Sequence, residues 1–235
     1  MNYFTYTDFL SKFGIGGAHP GGVKLTKELM RTKNIDNYSR ILDVGCGTGQ
    51  TASYLASEYS ATVTGIDRHP IMVEKAKKRM KKERLSVEIL QCSIENVPLQ
   101  DDTFDFVLSE SVLSFVDKPS ALSEIFRLLK NDGQLIAIEF TIHKPLEIAV
   151  ANEIKQFYGF ESLLTEQDWI RHFKQAGFTT IQAEQKQPLT KNDSIPEFDY
   201  SQNVELALYD IMQQHHEMTL KYMDIWDYRI FTCNK

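Results

Sequence analysis

The residues with the clearest chemical purpose lie in one stretch, Asp43-Val44-Gly45-Cys46-Gly47-Thr48-Gly49-Gln50. Glycine adopts left-handed backbone conformations at no steric cost, so a loop of this kind turns sharply and approaches a ligand closely. The stretch leaves an apolar run, Arg40-Ile41-Leu42-Asp43-Val44, that reads as a buried strand, and it enters a helix-like run at residues 51–58. The first N–H groups of such a helix are free to bind a carboxylate or phosphate. Asp67 ends the next strand-like run, Thr62-Val63-Thr64-Gly65-Ile66-Asp67, 20 residues beyond Gly47. That spacing places a carboxylate on ribose hydroxyls. A G-x-G-x-x-G dinucleotide fingerprint would require a third glycine at position 50, where this chain has Gln50. The loop therefore argues against a nicotinamide-dependent oxidoreductase.

Alternating elements must position these residues. Strand-like runs at 40–44, 62–67, 87–92, 104–109 and 134–140 are separated by helix-like runs at 51–58, 70–82 and 119–129, and Asn131-Asp132-Gly133 is a turn. Apolar runs of this length, bounded by turn residues, suit strands covered on both faces. Strand and helix in alternation imply right-handed crossover units and a mostly parallel sheet. Beyond the fifth strand the sequence predicts helices at 145–157 and 166–176, the second stopped by Gly177. A strand at 179–185, a polar loop at 188–199, a long helix at 203–223 and a final strand at 227–233 complete the chain. Residues 1–35 are helical and aromatic, with Tyr3, Phe4, Tyr6, Phe9 and Phe13 before a glycine-rich break at 14–22.

In an open parallel sheet, ligands bind beyond the carboxyl ends of the strands, where strand order reverses. Gly45, Asp67, Ser93 and Ser109 each fall at the carboxyl end of a strand-like run and so share one rim. A ligand with a ribose and a carboxylate suits that rim.

The composition bounds the answer. With 235 residues, 42% hydrophobic and 25% charged, the chain fits one large globular domain carrying insertions. No apolar stretch approaches the roughly 20 residues that span a bilayer. Met1-Asn2-Tyr3-Phe4-Thr5-Tyr6 lacks the basic-then-apolar pattern of a secretory signal. Cys46, Cys92 and Cys233 have no paired spacing, which predicts neither a disulfide framework nor a metal site and points to a reducing cytoplasm. A net charge of -6 argues against a partner held by its phosphates. The basic run of Lys75, Lys77, Lys78, Arg79, Lys81, Lys82 and Arg84 also contains Glu83, with Glu74 just before it, and reads as a solvated helix face.

The segment from Arg40 to Leu135 resembles the class I S-adenosylmethionine (SAM)-dependent methyltransferases, and is most similar to the small-molecule type whose first motif reads LDVGCGTG. The likeness continues through Gly65-Ile66-Asp67, Pro98, Asp102-Thr103-Phe104-Asp105 and Leu128-Leu129-Lys130-Asn131-Asp132-Gly133-Gln134-Leu135. His19-Pro20-Gly21-Gly22 is similar to the stretch before the first motif in some members. The resemblance implies an α/β, Rossmann-like, seven-stranded and mainly parallel sheet with the last strand antiparallel and helices on both faces. Residues 1–35, 143–165 and 190–226 are extra to that core within a single domain, 1–235, and are expected to close over the site as cap segments, the alternative being that they cover the sheet's flank.

The resemblance also implies roles. Asp43 and the backbone of Gly45, Cys46, Gly47 and Gly49 would hold the methionyl end of SAM. Asp67 would take the ribose hydroxyls, Arg68 would lie along the adenine, and Ser109 would sit by the sulfonium, through its side chain or its carbonyl. Ser93 stands where family members often carry an aspartate that accepts from the adenine amino group, with the Ile94 N–H as a second contact. The implied product is S-adenosylhomocysteine and the acceptor is a small molecule.

Glu110, His19 and His143 are the candidates for a base, and each also reads as an ordinary loop residue. A SAM- or S-adenosylhomocysteine-binding protein without transferase activity is the rival reading. RNA methylation is disfavoured because Ser109-Glu110-Ser111-Val112 replaces the Asn-Pro-Pro-aromatic segment of amino-methylating enzymes.

Overall fold

A computed structural model describes residues 4–185 and 196–235. The chain opens with α1 (Tyr6–Phe13), where Thr5 and Asp8 form a capping box that satisfies two otherwise free backbone N–H groups. A two-residue strand, β1 (Ile15–Gly16), and α2 (Gly22–Met30) follow. The alternating core comprises β2 (Arg40–Val44), α3 (Gln50–Tyr59), β3 (Thr62–Asp67), α4 (Pro70–Glu83), β4 (Glu88–Gln91), β5 (Phe104–Glu110), α5 (Lys118–Leu128) and β6 (Leu129–Ile142). After it come α6 (Ile148–Tyr158), α7 (Glu166–Gln175), β7 (Thr180–Glu184), β8 (Glu197–Phe198), α8 (Ala207–Lys221) and β9 (Trp226–Asn234).

Seven strands form the central sheet in the order β4-β3-β2-β5-β6-β9-β7. Pairings from β4 through β6 are parallel, and β9 runs antiparallel between β6 and β7. The chain builds outward from β2 to β4, then returns to place β5 on the other side of β2. Strand order therefore reverses between β2 and β5, which opens a crevice at their carboxyl ends.

Alternate residues of each strand feed opposite layers. Leu42, Val107, Leu135 and Phe231 pack with Leu122 and Ile125 of α5 and with Trp169 and Phe173 of α7. Ile41, Leu108, Ile136 and Ile230 pack instead with Leu25 and Leu29 of α2, Leu55 of α3 and Ala76 of α4. Helices thus cover both faces, as the unbroken apolar runs require. The pieces outside this core meet one another. Phe9 and Phe13 of α1 pack on Leu208 of α8, and the Tyr6 ring lies 4.9 Å from Tyr158 and 5.2 Å from His215.

The structure departs from the sequence reading at several boundaries. β6 begins at Leu129, so Asn131-Asp132-Gly133 lies inside a strand whose pairing with β5 shifts register between Phe104 and Phe106. The loop expected at 188–199 contains β8, which pairs antiparallel with β1, Ile15 facing Phe198. A two-residue strand is too short to leave an alternating pattern. The rest of that loop, 186–195, lies outside the described residues. Among the described residues, no helix is long and apolar enough to cross a membrane.

The fold presses α4 directly onto the glycine loop. Gly49 caps α3 with φ +76°, and a Cβ there would stand 2.8 Å from Met80 Cε and 3.1 Å from Ala76 Cβ. Gly49→Ala is expected to lower stability by about 1–3 kcal/mol, from the left-handed conformation and the crowding together. Thermal denaturation checks this, and an unchanged melting temperature would show that α4 yields without cost.

Candidate active site

β2 delivers Asp43 to the base of the crevice. Asp43 is 2% exposed, and its Oδ2 has no hydrogen-bond partner among the described residues. Burial pushes its carboxyl well above the usual range, and the negative charges of Glu110 and Asp67 push it further. A cation placed against that oxygen would relieve both effects.

The loop that follows turns through Gly45, Gly47 and Gly49, all with positive φ. At Gly45 the requirement is also steric, because a Cβ would fall 2.3 Å from Val112 Cγ2. Two backbone donors stitch the loop to β3. Cys46 N–H donates to the Ile66 carbonyl at 2.9 Å, and Gly47 N–H donates to Asp67 Oδ2 at 2.9 Å. The other Asp67 oxygen accepts from His69 N–H at 2.7 Å. Burial raises the Asp67 carboxyl against the pull of these two bonds. Each oxygen retains acceptor capacity for a further donor.

One cavity over the switch point brings together Asp43, Gly45, Cys46, Gly47, Asp67, Arg68, Ser93, Ile94, Glu110 and His19. Three residues named from the sequence do not line it. Gly49 serves as the cap of α3. Ser109 points to the opposite face, where its Oγ donates to Glu139 Oε1 at 3.3 Å. Strand alternation sends Glu110, the last residue of β5, to the cavity. His143 is exposed, since β6 extends past Phe140 to Ile142 and carries it beyond the cavity.

Neighbours occupy the polar atoms of the remaining candidates. Glu110 Oε2 accepts from Thr51 Oγ1 at 2.8 Å, Oε1 accepts from Thr26 Oγ1, and His19 Nε2 lies 3.4 Å from Oε1. The carboxylate thereby ties β5 to α2, α3 and the segment before α2. Ser93 Oγ donates to Glu95 Oε2 at 2.7 Å and accepts from Glu95 N–H at 3.3 Å, closing its own turn.

Sequence reasoning missed part of the lining. Thr7 and Leu10 of α1, Ile15, Met72, Phe115 and Val116 also face the cavity. Apolar residues that line a cavity have the same spacing as those that line a core, so no pattern distinguishes them. Glu139, near the end of the fifth strand, could by sequence face the core edge or the pocket, and it takes the core side. It is fully buried and accepts from Val112 N–H at 3.1 Å, Leu113 N–H at 3.0 Å, and the hydroxyls of Ser109 and Ser114. Burial outweighs these donors and pushes its carboxyl up to about 7. Its bonds fix the turn in which Ser111 holds φ +59°, a costly conformation for a residue with a Cβ, at the cavity wall.

Known proteins match this arrangement. A family model described as a methyltransferase domain matches residues 42–137. The uncharacterised methyltransferase YodH of Bacillus subtilis (strain 168) is 39% identical over 231 residues, covering 98% of this chain and 99% of the relative. Phosphoethanolamine N-methyltransferase 1 of Arabidopsis thaliana is 30% identical over 177 residues, covering 74% of this chain and 35% of the relative. The solved Haemonchus contortus phosphoethanolamine N-methyltransferase 2 in complex with S-adenosyl-L-methionine has a TM-score of 0.81 at 22% identity, covering 100% of this chain and 58% of that one. The chain belongs to the class I SAM-dependent methyltransferases.

Glu139 offers a test by pH. Its folded-state value of about 7 lies above the ordinary 4.5, so the protonated form favours the fold. That contribution is fully present below the ordinary value and is lost as pH rises through about 7. Glu139→Gln keeps an acceptor for the two N–H groups and does not titrate. Its stability relative to the wild type should rise between about pH 5 and pH 8, by at most about 3 kcal/mol. Denaturant melts at several pH values measure this, and a pH-independent difference would contradict it.

Proposed function

We propose that this chain transfers the methyl group of SAM to a small-molecule acceptor. The observation that carries this reading is the unpartnered, buried Asp43 oxygen beside Asp67 on the same rim. The first suits an ammonium and the second suits vicinal hydroxyls, the two recognition points of SAM. When bound, SAM supplies a methyl group on a sulfonium, which needs no acid to leave.

The chain's own residues bind and orient. Asp43 takes the methionyl ammonium, with the backbone of Gly45, Cys46 and Gly47 along the same end of the ligand. Asp67 takes the ribose, Arg68 lies along the adenine, and Ser93 and Ile94 meet its edge. Glu110 and His19 act as positioning residues, because the Glu110 oxygens already accept from Thr51 and Thr26. The described parts of the 1–35, 143–165 and 190–226 segments act as a cap, with Thr7, Leu10 and Ile15 keeping water out; residues 1–3 and 190–195 lie outside the described residues. Rate then comes mainly from positioning and desolvation. A base is needed only if the acceptor must shed a proton.

The plant relatives and the nematode structure are named for phosphoethanolamine, a small molecule, which supports a small acceptor here. The three free thiols support a reducing cytoplasmic setting. A metabolite library scored by S-adenosylhomocysteine release tests the proposal. Release with one acceptor class supports it, whereas SAM binding without release across a broad library would point to a binding protein.

Two further outcomes are expected. Hydrogen bonds to a charged group contribute about 1.5–3 kcal/mol, so Asp67→Ala should weaken SAM roughly 10- to 150-fold with the fold intact. Calorimetric titration reads this, and an unchanged affinity would remove Asp67 from the ribose. SAM should also slow proteolysis within residues 14–22, the segment leading from α1 into α2. Equal cleavage with and without SAM would contradict the cap.

A further inference from the structure

The basic run on α4 is not uniformly a solvated face. Lys75 and Arg79, one helical turn apart, face inward, with Lys75 buried and the Arg79 side chain 16% exposed. Arg79 Nε donates to the Thr48 carbonyl of the glycine loop at 2.9 Å. Its Nη1 meets Glu83 at 3.2 Å and its Nη2 meets Glu197 of β8 at 2.8 Å. Glu197 also accepts from Gln50 Nε2 at 2.9 Å, at the first turn of α3. Lys75 Nζ donates to the Asp199 carbonyl.

The same strap grips the N-terminal segment. β8 pairs with β1, Asp199 N–H donates to the Gly14 carbonyl at 3.0 Å, and Ser201 N–H donates to the Lys12 carbonyl at 2.8 Å. Residues 197–201 thus run between the segment that covers the cavity and the loop that forms its floor. Thr48, Gln50 and Ile15 line the cavity, whereas Arg79 and Glu197 do not.

We propose that Arg79 is a positioning residue for the SAM site, clamping the Thr48 carbonyl of the glycine loop and, through Glu197, latching the 197–201 strap and the N-terminal segment over the cavity. This rests on the reading of the cavity as the SAM site. The guanidinium is suited to the task because its planar fork meets a carbonyl and two carboxylates at once, which an ammonium on a flexible stem does not reproduce. Coupling of this kind is reciprocal: a latch that favours SAM binding is itself strengthened by SAM.

Calorimetric titration with SAM, alongside melting temperatures, tests the latch in wild type, Arg79→Ala, Arg79→Lys, Glu197→Ala and the double variant Arg79→Ala/Glu197→Ala. Arg79→Ala should weaken SAM by about tenfold, as expected for a lost charged donor. Arg79→Lys should recover only part of that loss. Glu197→Ala, at an exposed strap position remote from the ligand, should weaken SAM by about threefold, the scale of an exposed ion pair. The double variant should be no weaker than Arg79→Ala alone, because the two residues act as one unit. In the wild type, SAM should slow proteolysis of the strap, and Arg79→Ala should reduce that protection.

Wild-type SAM affinity in folded Arg79→Ala and Glu197→Ala would overturn the latch, as would strictly additive losses. Lower melting temperatures with unchanged affinity would show a merely structural contact and overturn it equally. A wild-type protein that fails to bind SAM would overturn the reading of the site, and the latch with it.

Discussion

Asp43 holds a carboxyl oxygen in the protein interior with no hydrogen-bond donor among the described residues. An unmet acceptor in that position costs about 1–3 kcal/mol, and more for a charged group. The two neighbouring carboxylates on the rim are compensated. Asp67 accepts from Gly47 and His69 N–H groups, and Glu110 accepts from Thr26 and Thr51 with His19 alongside. The remaining carboxyl sits 24 residues before Asp67 in sequence and beside it in space. A ligand that presents a cation at one end and vicinal hydroxyls further along matches both. SAM has that shape.

The sheet serves this arrangement. Parallel pairing of β2 with both β3 and β5 sets Asp43 opposite Gly65 and Leu108, so the rim residues of three strands converge at the switch point. The loop above Asp43 is held from three directions. β3 supplies the Ile66 carbonyl and the Asp67 carboxylate, α4 supplies Ala76 and the Arg79 guanidinium, and the 111–114 turn presses Val112 against Gly45. Glu139 anchors that turn from behind, at the cost of a buried carboxyl. Such a frame places the cavity floor on rigid elements and leaves its roof to α1 and the residues around β1.

The floor was legible in the sequence because its physics is local. Glycines at 45, 47 and 49 between an apolar strand and a helix, with Asp67 at a fixed distance, describe a turn and a carboxylate that the chain itself brings together. The Ser109 side chain lies on the other face, because adjacent strand residues point opposite ways and Glu110 is the one that meets the cavity. The roof was legible only as an aromatic, glycine-broken segment. Its contacts with β8 and α8 join residues from 181 (Gly16 with Glu197) to 199 (Phe9 with Leu208) positions apart, and no periodicity records such a pairing. Arg79 looked solvated because a basic run on a helix ordinarily is, and only the packing of α4 on the loop turns it inward.

The proposed contact on which the site turns is the one between the Asp43 carboxylate and the ammonium of SAM. Titrating the wild type and Asp43→Asn with SAM and with 5′-methylthioadenosine, which keeps the nucleoside and lacks the amino-acid end, tests it most directly. Asp43→Asn should weaken SAM by at least about tenfold, the loss of a charged hydrogen bond, and leave methylthioadenosine affinity nearly unchanged. Equal weakening of both ligands, or of neither, would contradict it.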